Sequence, residues 1–175
     1  MQLFWHVITL IGSPELWLLL GVAPLGYLTI KNLRHEAKTL RHFQLVLFAL
    51  SVLTVIALTI ILKLAIAVPR PCTPCLSPEI SACNPYCPSG FFDTYSFPSG
   101  HAASAFAGFT ALFLVGRKRL YLALFFLPAL VALSRFYLGV HTLTDILAGA
   151  ILGIAIPIIL DVFLVKITHP ARRLI

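Results

Sequence analysis

The sequence predicts an all-α integral membrane protein, one domain over residues 1–175. Its fold is a bundle of about five transmembrane helices preceded by a helix on the membrane surface. Hydrophobic residues make up 59% of the 175 residues and charged residues 11%, and the mean hydropathy is +0.97. These values are typical of a membrane protein and unlike those of a soluble globule. Helices are expected in the long apolar runs because an open sheet would leave backbone groups unsatisfied in lipid.

The apolar runs define the predicted spans in chain order. They cover residues 16–30, 43–68, 102–115, 120–138 and 143–165. A span needs about 20 apolar residues, so the second and fifth runs suffice alone, whereas the first and third must include their neighbours. Residues 3–11 are predicted to lie along the membrane surface, with Trp5 and Trp17 as interfacial anchors, before residues 12–14 turn the chain inward.

The net charge of +7 is concentrated in two connections and in the segment after the last span, which fall on one predicted side of the membrane. The basic residues of these three segments are Lys31, Arg34, Lys38, Arg41, Arg117, Lys118, Arg119, Lys166, Arg172 and Arg173. Basic residues favour the cytoplasmic side of short connections, and five crossings from an external N terminus place all of these there. The charge therefore indicates topology, and neither nucleic acid nor an obligate protein partner is predicted.

Three polar clusters lie where apolar runs meet the outward-facing connections, residues 69–98 and 135–141. They are residues 63–71 (KLAIAVPRP), 98–101 (PSGH) and 134–145 (SRFYLGVHTLTD). Ionisable side chains beside lipid are costly, so they indicate function. A lysine, two arginines, two histidines, a serine and an aspartate together suit the breaking of a phosphate ester.

In the first cluster, Lys63 and Arg70 are seven residues apart, so they share a face if the helix continues that far. Pro69 and Pro71 are expected to end the helix there. Lys63 would then extend its long stem upward to a polar cavity. The alternative is that both side chains only bind lipid head groups.

The second cluster, Pro98 to His101, carries the signals of a helix start. The N–H groups of Ser99, Gly100 and His101 are expected to face an anion at the positive end of the helix dipole. Gly100 lets a ligand approach the backbone, and His101 is placed to exchange a proton. The alternative is a capped helix with an interfacial histidine.

The third cluster places Ser134 and Arg135 at the end of the fourth span and His141 at the start of the fifth. Asp145 follows His141 by four residues, which puts both on one face of a helix. A carboxylate behind an imidazole fixes its tautomer and stabilises its positive charge, as an activated histidine requires. A plain surface pair is the alternative.

Four cysteines, Cys72, Cys75, Cys83 and Cys87, lie in the connection 69–98, and there are none elsewhere. Outside the cytoplasm they are expected to form two disulfides, and three connectivities remain open. Zinc is the alternative, but the spacing that follows the first C-x2-C pair fits zinc sites poorly. The disulfides would stiffen the loop that runs from Arg70 to Ser99.

Taken together, the clusters resemble the complete signature of the type 2 phosphatidic acid phosphatase (PAP2) superfamily. The matching motifs are Lys63-x6-Arg70-Pro71, Pro98-Ser99-Gly100-His101 and Ser134-Arg135-x5-His141-x3-Asp145. The resemblance covers residues 63–145 with the flanking spans and does not cover residues 1–42. Membrane members of that family usually have six spans, and the first of them is expected to be missing among the five predicted here.

The resemblance implies a role for each motif residue. His141 is the nucleophile that becomes phosphohistidine, Asp145 orients it, and His101 protonates the leaving oxygen and then activates water. The residues that hold the phosphoryl oxygens are Lys63, Arg70, Ser99, Gly100 and Arg135. No cofactor or metal is expected, because the chain has only six acidic residues and a single one, Asp145, joins the constellation.

The implied activity is a metal-independent lipid phosphatase of the bacterial cytoplasmic membrane, with its site at the periplasmic or outer face. The candidate substrates are lipid A 1-phosphate, phosphatidylglycerol phosphate and undecaprenyl diphosphate. Two alternatives stay open. A lipid-to-lipid phosphotransferase would use the same histidine without releasing free phosphate, and a non-catalytic lipid transporter would place its polar residues near the bilayer midplane.

Overall fold

A computed structural model of the chain describes residues 2–33, 40–73, 83–87, 94–116 and 124–168. Within these residues the chain forms six helices and no strand. The helices are α1 Gln2–Ile11, α2 Pro14–Leu33, α3 Leu40–Ile66, α4 Gly100–Gly116, α5 Phe126–Tyr137 and α6 Leu143–Thr168. An isolated antiparallel bridge pairs Pro69 with Tyr95. The predicted all-α class is confirmed.

Three stretches of the described helices are long and apolar enough to cross a membrane: Leu3–Ala23, Leu45–Ile66 and Leu143–Lys166. Two shorter apolar helices accompany them, Gly100–Val115 and Phe126–Tyr137. Large apolar side chains cover the outside of α6, where Ile151 is 65% and Phe163 is 58% exposed. Such a surface is suited to lipid, and the chain is a multi-pass membrane protein.

Several helix boundaries differ from the predicted ones. α3 ends at Ile66, before the prolines, because Ala67 adopts a left-handed conformation with φ of 53°. The helix does not continue to Arg70, so the condition under which Lys63 and Arg70 would share a helix face is not met. α5 begins at Phe126, and residues 117–123 lie outside the described part of the chain. The stretch Leu3–Ala23 includes the turn between α1 and α2, so the surface position of residues 3–11 stays a prediction.

α4 packs against α2, α3, α5 and α6 and forms the centre of the described bundle. Besides Phe109, many of its buried side chains are small: Ala102, Ala103, Ala105, Ala107 and Ala111. Small residues let helices approach closely, and α6 supplies matching glycines. A Cβ on Gly149 would lie 2.6 Å from the carbonyl oxygen of Ser99, and a Cβ on Gly153 would lie 2.5 Å from that of Ala103. The start of α4 is therefore held in direct contact with the second and third turns of α6.

The connection that follows α3 is fastened near its ends. The N–H of Ser96 donates to the carbonyl oxygen of Val68 at 2.8 Å, beside the bridged pair. Cys72 forms a disulfide with Cys87, and Cys83 is also disulfide-bonded. Disulfide formation in this loop is therefore confirmed for Cys72 and Cys87. Cys75 lies outside the described residues, and its pairing remains a prediction.

Asn84 attaches this loop to the turn that precedes His141. Its side-chain Nδ2 donates to the carbonyl oxygen of Leu138 at 2.7 Å, and its N–H donates to the carbonyl oxygen of Thr73 at 2.8 Å. Gly139, in the same turn, has φ of +68°, and a Cβ there would lie 3.4 Å from Asn84 Nδ2. Glycine adopts this conformation without steric cost. The loop and the turn thus support each other.

Candidate active site

A cavity of about 230 Å³ lies between the C-terminal end of α3, the N-terminal end of α4 and the turn before α6. Five of the predicted site residues line it: Lys63, Arg70, Gly100, His101 and His141. The other three are buried and do not line it: Ser99, Arg135 and Asp145. Three clusters that are far apart in the sequence thus meet around one cavity.

The ring of His141 lies between a guanidinium and a carboxylate. Nη1 of Arg70 is 3.1 Å from Nε2 of the ring and donates to the carbonyl oxygen of Val140 at 3.0 Å. On the other side of the ring, Nδ1 is 3.5 Å from Oδ2 of Asp145. A proton on Nδ1 faces the carboxylate and leaves the lone pair on Nε2, beside Arg70. This is the arrangement that a nucleophilic imidazole requires.

Asp145 is held in place by the start of α6. Its Oδ2 accepts the N–H of Thr142 at 2.8 Å, and the hydroxyl of Thr142 accepts the N–H of Asp145 at 3.3 Å. This reciprocal pair is a form of capping box, in which a threonine at the helix N-cap is followed three residues later by an acidic side chain. The carboxylate that faces His141 is therefore fixed by the local sequence, a signal that the spacing argument did not use.

The pKa of His141 is lowered from 6.5 to about 3, mainly because the ring is buried. The contact with Asp145 raises the pKa and opposes this shift. The positive charges of Arg70, Arg135 and Lys63 lower it further. A charged imidazole is disfavoured in a buried site surrounded by cations. The ring is therefore neutral at neutral pH, and with its proton on Nδ1 the electron pair of Nε2 faces the N–H of Arg70.

Because this shift is downward, His141 should remain neutral as the pH falls through 6.5 and should take up a proton only near 3. NMR of protein labelled in its histidine rings measures this ionisation directly, with His141→Gln to assign the signal and free histidine as the reference. The expected result is a His141 signal that does not titrate near 6.5. Titration at the ordinary value would contradict the buried, cation-lined environment.

The Pro98 to His101 segment differs in one respect from the anion-binding geometry that its sequence predicts. The N–H of Ser99 donates to the carbonyl oxygen of Asp145 at 2.9 Å, so the expectation that this N–H faces an anion was wrong. The bond instead ties the start of α4 to α6. The hydroxyl of Ser99 is buried and has no hydrogen-bond partner among the described residues.

Lys63 and Arg135 occupy different positions relative to the cavity. Lys63 is in the wall, and its Nζ donates to the carbonyl oxygen of Tyr95, just before the segment that leads into α4. Arg135 is only 5% exposed and is not in the wall. Its Nη1 donates to Oγ1 of Thr9 at 2.9 Å. Lys63 thus borders the cavity directly, whereas Arg135 lies outside its wall and is hydrogen-bonded to α1.

Two polar residues that line the cavity were not predicted, Glu15 in α2 and Thr59 in α3. Thr59 lies one helical turn before Lys63, and its buried hydroxyl has no partner among the described residues, so helical spacing from Lys63 would have found it. Glu15 carries no such signal. It borders the cavity because the start of α2 packs on α4, where a Cβ on Gly100 would lie 3.6 Å from Pro14 Cγ.

Comparison with known proteins places this site within a family. Residues 44–168 match the sequence profile of the PAP2 superfamily. A 59-residue segment is 41% identical to an undecaprenyl-diphosphatase of Sulfolobus acidocaldarius, over 34% of this chain and 29% of that protein. A 71-residue segment is 39% identical to phosphatidylglycerophosphatase B of Bacillus subtilis, over 35% of each protein.

The chain spans about a third of the length of these curated relatives, and no solved structure matches it. The family match is more extensive, since residues 44–168 make up well over half of the chain. They include most of α3, all of α4 to α6 and every residue of the three motifs. On the strength of this match, the chain belongs to the PAP2 superfamily.

Proposed function

We propose that the chain is a metal-independent lipid phosphatase, which transfers a phosphoryl group from a membrane lipid phosphate or diphosphate to His141 and then to water. The observation that carries the proposal is the His141 ring, with Nε2 3.1 Å from Arg70 Nη1 and Nδ1 3.5 Å from Asp145 Oδ2. A neutral ring held between a phosphate-binding cation and a carboxylate is suited to attack phosphorus. Membership of the PAP2 superfamily supports this assignment.

The first step forms a phosphohistidine. The Nε2 lone pair of His141 attacks phosphorus, and the bond between phosphorus and the lipid oxygen breaks. His101, which carries a proton while the phosphate dianion is bound, gives that proton to the oxygen, and Asp145 stabilises the positive charge on the phosphorylated ring. General acid catalysis of this kind contributes about 10²- to 10⁴-fold to a rate.

The second step releases phosphate and restores the enzyme. His101, now neutral, takes a proton from a water molecule, and the water oxygen attacks phosphorus. The bond between phosphorus and Nε2 of His141 breaks, and its electron pair returns to the ring. Phosphate leaves with His141 neutral and His101 protonated, so the two steps balance without another reactant.

The cationic side chains account for charge stabilisation during both steps. Lys63 and Arg70 line the cavity beside Gly100, whereas Arg135 and Ser99 are buried outside its wall. Phosphoryl transfer depends mainly on positioning and on stabilising the charge of the equatorial oxygens. A donor set dominated by cations suits an anion and repels a divalent metal ion. Among the described residues, no group of three or more His, Cys, Asp or Glu side chains is placed to hold a metal.

The apolar part of the cavity wall supports a lipid substrate. Leu18, Ile56 and Ile60 line the same cavity as His141, so an acyl or prenyl chain and its phosphate fit side by side. The names of the two relatives refer to undecaprenyl diphosphate and phosphatidylglycerophosphate. These two lipids and lipid A 1-phosphate are the candidate substrates. The distribution of basic residues supports a site at the outer face of the bacterial cytoplasmic membrane.

Phosphate release by the purified protein in detergent, in the presence of EDTA, tests this proposal. The panel contains lipid A, phosphatidylglycerol phosphate, undecaprenyl diphosphate and phosphatidic acid. We expect release from at least one lipid at a rate that EDTA does not change, because protein cations stabilise the transferred group. Loss of activity with EDTA and its rescue by Mg²⁺ would contradict the metal-independent mechanism. If no lipid releases phosphate, the hydrolase proposal fails and the phosphotransferase becomes the better account.

A further inference from the structure

We propose that Thr9 of α1 is a positioning residue of the active site, which sets the direction of the Arg135 guanidinium toward the substrate phosphate. The inference rests on the proposed function, in which Arg135 holds a phosphoryl oxygen. Thr9 and α1 lie outside residues 44–168, the part of the chain that matches the family. The N-terminal helix would thus complete the site of this chain without being part of the matched region.

The contact is a buried hydrogen bond between a neutral side chain and a cation. Nη1 of Arg135 donates to Oγ1 of Thr9 at 2.9 Å, and both residues are at most 5% exposed. Hydrogen bonds to charged groups are stronger than those between neutral groups. A guanidinium is a rigid plane with five N–H donors, so holding one of its nitrogens fixes the direction of the others. Thr9 is therefore placed to orient Arg135 rather than only to cover it.

α1 is itself fixed against the helix that carries Arg135. The ring of Trp5 stacks on that of Tyr137, with centroids 4.7 Å apart and planes within 9° of parallel. Tyr137 lies two residues after Arg135 in α5, and Trp5 lies one helical turn before Thr9 in α1. The stacked pair thus holds α1 against α5 one helical turn before Thr9.

The turn after α1 is packed just as closely against the helix that carries His101. Ser104, three residues after His101, donates its hydroxyl to the carbonyl oxygen of Gly12 at 2.8 Å. A Cβ on Gly12 would lie 2.1 Å from Val131 Cγ1 and 3.0 Å from the carbonyl oxygen of His101, so no larger residue fits without movement. Because α1 is fixed against both α4 and α5, Thr9 is a rigid support for the guanidinium.

Substitution of Thr9 separates a positioning role from a merely structural one. Thr9→Val removes the hydroxyl and keeps the shape, Thr9→Ser restores the hydroxyl, and Val7→Ala is the control at an exposed position of α1. The readouts are kcat, KM and the affinity for orthovanadate, a mimic of the phosphoryl transition state. We expect Thr9→Val to lower kcat/KM and vanadate affinity in parallel, on the order of tenfold. The loss should fall mainly on kcat, and Thr9→Ser should recover most of it.

Unchanged kcat/KM and vanadate affinity in Thr9→Val would overturn the inference. So would a lower melting temperature with unchanged vanadate affinity, since that is the signature of a structural contact alone. Should Thr9→Val not fold, Thr9→Cys replaces it, because a thiol is a weaker acceptor of similar size. If the wild-type protein releases no phosphate from any lipid, the proposed function fails instead, and the vanadate affinities still test Thr9 separately.

Discussion

Replacing His141 with glutamine is expected to abolish turnover and the phosphorylated intermediate together. Glutamine approximates the size of the ring and can still contact Arg70, but it has no nitrogen that attacks phosphorus. Removing the nucleophile from a covalent mechanism should lower kcat by at least about 10³-fold. Steady-state phosphate release with the preferred lipid of the panel measures the effect, and His169→Gln, at a histidine that follows α6 in the sequence, is the matched control.

Two outcomes of that experiment would count against the account. If His141→Gln keeps turnover within about tenfold of the wild type, another group must attack phosphorus, because losing the nucleophile costs far more. If His141→Gln and His169→Gln are equally impaired, the loss reflects damage to the fold and not to the chemistry. Retained binding of orthovanadate by His141→Gln would show that the cations around the cavity are still in place.

Replacing His101 with asparagine is expected to slow both steps and to make the intermediate visible. The leaving oxygen and the attacking water each lose their proton partner, and each such loss costs about 10²- to 10⁴-fold. A substrate with a good leaving group, such as an aryl phosphate, needs no protonation in the first step. It should therefore phosphorylate His101→Asn quickly and release phosphate slowly, which appears as a burst of the aryl alcohol followed by a slow phase.

Rapid-mixing kinetics with an aryl phosphate and with the lipid substrate separates the two roles of His101. The account expects a burst with the aryl phosphate and none with the lipid, because only the lipid alkoxide needs an acid. Equal losses with both substrates, and no burst with either, would mean that His101 does not act as the acid and base of the two steps. The wild-type protein, which is expected to hydrolyse its intermediate quickly, is the reference for both substrates.

The apolar runs were enough to predict the helices, but not their ends. Hydropathy identifies α3 and α6 because each is long enough to cross lipid alone. The end of α3 depends on one residue, Ala67, whose left-handed conformation stops the helix before the prolines are reached. The residue type does not predict this left-handed conformation, since alanine favours helices. The packing of its neighbours decides the conformation, and a sequence read alone does not contain that packing.

Five residues of the cavity wall were predictable because they lie near helix ends and follow fixed spacings. His141 and Asp145 are an example, since four residues on one helix face bring them together wherever the helix lies. Thr9 and Glu15 belong to the opposite case. Glu15 borders the cavity and Thr9 contacts Arg135 because α1 and α2 pack on the rest of the bundle, and no local pattern marks either residue. The bond between Ser99 and Asp145 is likewise a product of helix packing.

The central claim is that His141 carries the phosphoryl group during turnover, and trapping that group tests it most directly. Wild-type protein is mixed with a labelled substrate, quenched in alkali within the first turnover, digested and analysed by mass spectrometry, because phosphohistidine survives alkali and decays in acid. The account predicts one phosphoryl group, on the peptide that contains His141, and its loss on treatment with acid. A phosphoryl group on another residue, or turnover without any phosphorylated protein, would contradict the claim.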